Sequence, residues 1–172
     1  MVRPSFKPRR LLLVHAHPDD ESLSTGHIIA ETLRTGGEVF VLTLTRGERG
    51  KVKLEELKSL EGNLHAMGAF RANELANAIA EFSKLGNIRH RFAGVRAYLD
   101  SGARISRFGR LIKPRPLDEL SLAAIASSVI ADDIIAVMKE FKPDTVVTYN
   151  SNGGTGHPDH RREPLRPDWD RR

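Results

Sequence analysis

Twice in this 172-residue chain a short β-rich run leads into His-Pro-Asp. Leu11-Leu12-Leu13-Val14 precedes His17-Pro18-Asp19-Asp20-Glu21, and Thr145-Val146-Val147-Thr148-Tyr149 precedes His157-Pro158-Asp159-His160 across a glycine-bearing loop. The first cluster sets three carboxylates side by side, and like charges that close repel unless a cation compensates them. Two parallel, adjacent strands would bring their C-terminal ends to one edge of a sheet, where His17, Asp19, Asp20, His157, Asp159 and His160 converge. A divalent cation in that cluster is the simplest reason for a folding chain to gather it.

The rest of the pattern supports such a sheet. Residues 10–16 read as a buried strand, a helix opens at Asp20 or Glu21 and stops at Gly36-Gly37, and Glu38 to Thr45 reads as a second strand. This strand–helix–strand opening predicts an α/β fold with a mostly parallel sheet. A helix over 63–84 places Leu64, Met67, Leu75, Ile79 and Phe82 on one stripe, and Arg71 falls on the same stripe. That arginine either meets a carboxylate, faces a cleft, or makes an exposed pair with Glu74. Residues 86–117, rich in glycine, proline and arginine, read as an excursion carrying Tyr98, Leu99 and Asp100. A further helix over 117–141 ends at Lys142-Pro143-Asp144, and 145–149 is the next strand.

The chain has no cysteine, so a metal must be held by imidazole and carboxylate. Two imidazoles, one carboxylate and an open position make a catalytic zinc pattern, for which His17, Asp20 and His160 are the best set. Asp19 diverges from its neighbour Asp20, which leaves it free to act as a base toward water. His157 is placed to contact a substrate oxyanion. His15 reads as packed or hydrogen-bonded, and His27, His65 and His90 as surface or structural. The glycines at 153, 154 and 156 let the backbone bend closely around the cluster; a phosphate loop would need a Lys-Ser/Thr that is missing. Arg46 and Arg49 read as solvated loop residues.

Length favours one domain over 1–172, with a basic tail at 1–9 and an irregular tail at 161–172. The net charge of +5 comes largely from these ends, and aromatics are only 6% with no basic–aromatic interleaving, so no nucleic-acid partner is expected. The apolar run after the basic N-terminus is too short for a signal segment, and no stretch reaches a membrane span. A cytoplasmic location without a membrane partner is the expectation; the oligomeric state is unread.

VHAHPDDESL (14–23), TRGERG (45–50), Arg71-x-x-Glu74-Leu75, LDSG (99–102) and VVTYNSNGGTGHPDH (146–160) occur in an order that resembles the PIG-L/LmbE-like N-acetylglucosaminyl deacetylases. The likeness is greatest to the mycothiol-biosynthesis branch, which deacetylates N-acetylglucosaminyl-inositol and has a conjugate amidase as its sibling. The resemblance implies a Rossmann-like three-layer fold and zinc, or ferrous iron, at His17, Asp20 and His160. It implies Asp19 as general base, His157, protonated, as oxyanion stabiliser, and Arg71 and Asp100 in contact with an amino-sugar substrate. Three positions depart from the family pattern. His27 replaces a frequent glycine, Thr155 stands where a tyrosine is expected, and only RREPLRPDWDRR follows His160. The last departure leads to the expectation of a C-terminally shortened chain, truncated or frame-shifted, with a non-catalytic sugar-binding or interaction remnant as the alternative function.

Overall fold

Leu11, Leu12, Leu13 and Val14 have no solvent exposure, so the strand they form is covered on both faces. The computed structural model describes residues 7–93 and 98–161. Within these, β1 (Arg10–His15) is followed by α1 (Asp20–Arg34), β2 (Glu38–Thr43), α2 (Leu64–Ser83) and β3 (Ile88–Phe92). Two short strands, β4 (Arg104–Ile105) and β5 (Leu111–Ile112), form a separate antiparallel hairpin. The chain then enters α3 (Ser127–Phe141) and β6 (Thr145–Val147).

Alternation along β1 divides the core into two. Leu11 and Leu13 pack with Ile29 and Leu33 of α1 and with Val39 and Val41 of β2. Leu12, Val14 and Ala16 pack on the other side with Ile130, Ile134, Val137 and Phe141 of α3. The result is the expected three-layer α/β arrangement, with a parallel sheet of order β3-β2-β1-β6 between the helices.

Strand order changes direction at β1. The chain moves from β1 to β2 on one side, whereas β6 returns to the other side, with Leu12 opposite Val146. Such a switch point opens a crevice beyond the carboxyl ends of the two strands. Both His-Pro-Asp clusters follow these two strands, so topology alone delivers them to the same place.

Three expectations need correction. Residues 88–92 form β3, an edge strand whose sequence Ile-Arg-His-Arg-Phe alternates and carries two exposed arginines. Residues 117–126 are not helical, because Leu99 and Leu122 exchange backbone contacts with each other's neighbourhood: Leu122 N donates to Leu99 O at 2.8 Å and Leu99 N to Leu120 O at 3.0 Å. The basic tail is anchored before residue 10: Pro8 is buried and the Arg9 and Arg10 amides donate to Asp144 Oδ2 at 2.9 and 3.1 Å. The remainder of both expected tails, 1–6 and 162–172, lies outside the described residues. No helix among the described residues is long and apolar enough to cross a membrane.

Phe141 joins α3 to the sheet with no exposure, stacking near Phe40 at 5.5 Å. Phe141→Ala is expected to cost roughly 3 to 5 kcal/mol by cavity formation, read as a fall of about 10 °C in thermal midpoint. His90 on β3 lies 3.2 Å from Thr43 Oγ1, and burial lowers its pKa to about 4. The unfolded chain therefore takes up a proton there between pH 6.5 and 4 that the folded chain refuses, so stability falls as pH drops through this window. His90→Gln retains hydrogen-bonding capacity without titrating, and should flatten that part of the stability–pH curve by roughly 2 kcal/mol across urea titrations.

Candidate functional site

His17 stands at the end of β1 with 7% exposure, and four charged or imidazole groups surround it. Its Nδ1 lies 3.1 Å from His160 Nε2 and 3.6 Å from Asp20 Oδ2; His160 Nε2 lies 3.5 Å from the same Asp20 oxygen. These three atoms form a nearly equilateral triangle. Donors at 2.0–2.1 Å from a tetrahedral metal are separated by about 3.3 Å, so the triangle has the size that such an ion requires.

The far nitrogens of both rings have acceptors. His160 Nδ1 is 3.2 Å from Gly153 O, which leaves the Nε2 lone pair for the triangle. His17 Nε2 is 3.1 Å from Asp159 Oδ2 and 3.4 Å from Asp100 Oδ1. Gly153 has φ +68°, and a Cβ there would lie 2.9 Å from the His160 Cβ, so glycine is required for this approach. Two other donor groups also lie close enough for a cation: His17, His157 and His160, and His17, Asp100, His157 and Asp159. In the second, Asp159 accepts from Ser101 N at 2.9 Å and Asp100 from Gly102 N at 2.7 Å, as Asp20 accepts from His17 N at 3.0 Å. In the Asp20 triangle all three edges lie near the required length and the outer nitrogens of both rings have acceptors.

Electrostatics follow from this crowding. Burial disfavours a charge on His17, but hydrogen bonds to Asp100, Asp159 and Asp20 outweigh it and raise its pKa well above the ordinary value. Burial also opposes the charge on Asp20, yet His160 and His17 hold its carboxyl far below the usual range. Burial, opposed by Arg71, raises the Asp19 pKa. His157 is held at about 4, by burial first and then by the charge on His17. Its Nδ1 accepts the Asp159 N–H at 3.2 Å, so the hydrogen of the neutral ring is on Nε2.

The neighbours Asp19 and Asp20 diverge as their sequence suggests. Asp20 is buried with the imidazoles, whereas the Asp19 side chain is 53% exposed and pairs with Arg71 Nη2 at 2.8 Å. Arg71 thus meets a carboxylate on Asp19 rather than on Glu74, and it also donates to Pro18 O. A Cβ on Gly47 would sit 2.3 Å from Arg71 Nη1, so the TRGERG loop admits the guanidinium only where it has a glycine. Asp19 and Arg71 line a cavity of about 300 Å³ with Leu57, Met67 and Phe70. Asp100, expected at the substrate, is buried against His17 instead, where it accepts from Arg49 N at 3.3 Å.

Several groups were not singled out from sequence. Tyr149 donates to Asp20 and stacks on His160; Glu48 accepts the Asp100 amide at 3.0 Å. Arg46 lies over the Phe92 ring at 4.8 Å and Arg49 bridges to Asp118 at 3.0 Å, so neither is a free loop cation. Position next to the recurring motif was the one available signal for Tyr149. His15 is packed as read: its Nε2 donates to Thr25 Oγ1 at 3.0 Å. Thr155 is exposed on the glycine loop.

Comparison with known proteins agrees with this architecture. Residues 12–163 match the family model PIG-L, described as GlcNAc-PI de-N-acetylase. The chain is 43% identical over 159 residues to a 1D-myo-inositol 2-acetamido-2-deoxy-alpha-D-glucopyranoside deacetylase of Kineococcus radiotolerans, covering 91% of this chain and 43% of that protein. It is 42% identical over 154 residues to the enzyme of the same name from Rhodococcus opacus, covering 88% and 49%. The chain therefore spans less than half the length of either relative. Among solved structures, the N,N'-diacetylchitobiose deacetylase of Pyrococcus horikoshii superposes with a TM-score of 0.61 at 23% identity, over 90% of this chain and 46% of that one. A deacetylase of teicoplanin biosynthesis in complex with teicoplanin gives 0.61 at 24% identity, over 90% and 63%. Likeness at this identity concerns the fold. By the extent of the family match, reached from the same motifs that build the triangle, this chain is a member of the PIG-L de-N-acetylase family.

Proposed function

We propose that this chain carries the site of a zinc-dependent N-deacetylase that removes acetate from an N-acetylglucosaminyl-inositol. The observation that carries the reading is the triangle of His17 Nδ1, Asp20 Oδ2 and His160 Nε2, with edges of 3.1 to 3.6 Å. Family membership and the activity of the similar deacetylases support the substrate class. The donor set of two imidazoles and a carboxylate suits zinc and also accepts ferrous iron. A divalent ion held there would polarise an amide carbonyl and lower the pKa of water towards ~7.

The chain's own residues account for the remaining chemistry. Asp19 takes a proton from the attacking water, and the burial that raises its pKa makes it a better base. Arg71 keeps that carboxylate directed while sharing the cavity wall, where it reaches the sugar. His157 presents its Nε2–H to the developing oxyanion, in a place where burial strengthens the hydrogen bond. The amine leaves as it takes up the proton that Asp19 removed from the water, and acetate is the other product. Asp100 acts on the substrate through His17, whose outer nitrogen it faces.

After exposure to equimolar zinc and desalting, the chain is expected to retain close to one zinc, and His160→Ala to retain almost none. No retained zinc in the parent chain would overturn the metal reading. Asp19→Asn should keep its zinc while amine release from N-acetylglucosaminyl-inositol falls by roughly 10²- to 10⁴-fold, the usual worth of a general base. A full rate in that variant removes Asp19 from its role. Retained zinc without any amine release in the parent chain would favour a non-catalytic sugar-binding protein.

A further inference from the structure

Tyr149 follows β6 directly and touches two of the three residues in the triangle. Its ring lies flat on His160, with centroids 4.1 Å apart and planes 11° from parallel. Its hydroxyl accepts the Ala16 N–H at 2.7 Å and donates to Asp20 Oδ2. The order of these two bonds is fixed by chemistry. An amide can only donate, so the phenolic hydrogen is left for the carboxylate.

Asp20 Oδ2 is the oxygen that faces both imidazoles, and it also accepts the His17 N–H at 3.0 Å. A carboxylate free to rotate about its terminal torsion presents its oxygens almost interchangeably. With two donors fixed on Oδ2, rotation is blocked and one oxygen stays at the triangle. The stacked phenol constrains His160 likewise, adding to the bond to Gly153 O and the contacts of its Nε2 with His17 and Asp20.

We propose that Tyr149 is a positioning residue that sets the metal affinity of this chain, its hydroxyl fixing the rotation of Asp20 and its ring the tilt of His160. The proposal rests on the metal reading given above and adds to it a residue outside the ligand set. Hydroxyl and ring separate by substitution: Tyr149→Phe keeps the stack and leaves Asp20 Oδ2 held by the His17 N–H without the phenol, whereas Tyr149→Ala removes both of the tyrosine's constraints.

The test is a zinc titration in competition with a chromophoric chelator, on chains shown by circular dichroism to be folded. Tyr149→Phe is expected to bind zinc about 10- to 100-fold more weakly than the parent chain, the usual effect of losing such an outer partner, and Tyr149→Ala more weakly still. Tyr149→Phe also leaves the buried Ala16 amide without its acceptor, which lowers the melting temperature for purely structural reasons. Thr148→Val controls for that. It removes the bond from Thr148 Oγ1 to Val14 O at 3.1 Å, beside the same strand end, without touching the triangle. It should lower the melting temperature while zinc affinity stays within twofold. The absorption spectrum of the cobalt-loaded chain should change in Tyr149→Phe and not in Thr148→Val. Equal zinc affinity in Tyr149→Phe and the parent overturns the proposal and leaves the metal site standing. Zinc binding absent from the parent chain overturns both.

Discussion

The fold turns on a buried charge at His17. Three carboxylates, Asp20, Asp100 and Asp159, approach its two nitrogens at 3.6, 3.4 and 3.1 Å, and all three are buried. Carboxylates removed from water at such separations repel strongly, and one cation at their centre changes the balance. The hydrogen bonds of its ring to these carboxylates raise the His17 pKa well above the ordinary value, against the effect of burial. The backbone contributes too: the amides of Ser101, Gly102 and Arg49 all point at these carboxylates. The edge is thus built to hold positive charge before any ligand arrives.

How far the sequence reports this differs from layer to layer. β1, α1, β2 and α2 are legible because each buries an apolar face with the period of its own geometry. β3 is not, since an edge strand covered on one side needs few apolar residues, and Arg89 and Arg91 make it read as a basic loop. Residues 117–126 mislead in the other direction. Leu120 and Ala123 stand three apart, as on a helix, yet Leu122 between them is held by pairing with Leu99, a contact no local pattern contains. Within the site, His17, Asp20 and His160 were legible as a set because two copies of one tripeptide follow two strands. Tyr149, Glu48 and Asp100 meet Asp20, Asp100 and His17 at separations of 129, 52 and 83 residues, and their direction exists only in the folded chain. Asp100 shows the difference well: its motif singles it out, but only the folded chain shows it buried against His17.

The division of labour between Asp19 and Asp20 has its origin in the backbone. Asp19 has φ 96° and ψ −28°, a left-handed conformation that costs a non-glycine residue of order 1–3 kcal/mol. Its surroundings offset this. Ser22 N and Leu23 N donate to Asp19 O at 3.1 and 2.9 Å, Asp19 N donates to Glu21 Oε2 at 3.0 Å, and Arg71 holds Pro18 O and the Asp19 carboxylate together. The left-handed turn starts α1 directly beneath the end of β1 and sends successive carboxylates in different directions. One enters the buried triangle, and the other reaches the cavity wall.

Glycine at position 19 would adopt this backbone without strain. Its absence is informative, because local preference and side-chain chemistry conflict here and chemistry prevails. The accommodation is made elsewhere. Gly47 gives up its side chain so that Arg71 can pass within 2.3 Å of where a Cβ would be, and Arg71 in turn secures the strained residue. A glycine and a strained aspartate, 28 positions apart in sequence, are therefore parts of one device linked through a guanidinium. That dependence explains why HPDDE, TRGERG and Arg71 occur together: the first motif can hold its strained conformation only where the other two provide room and a counter-charge.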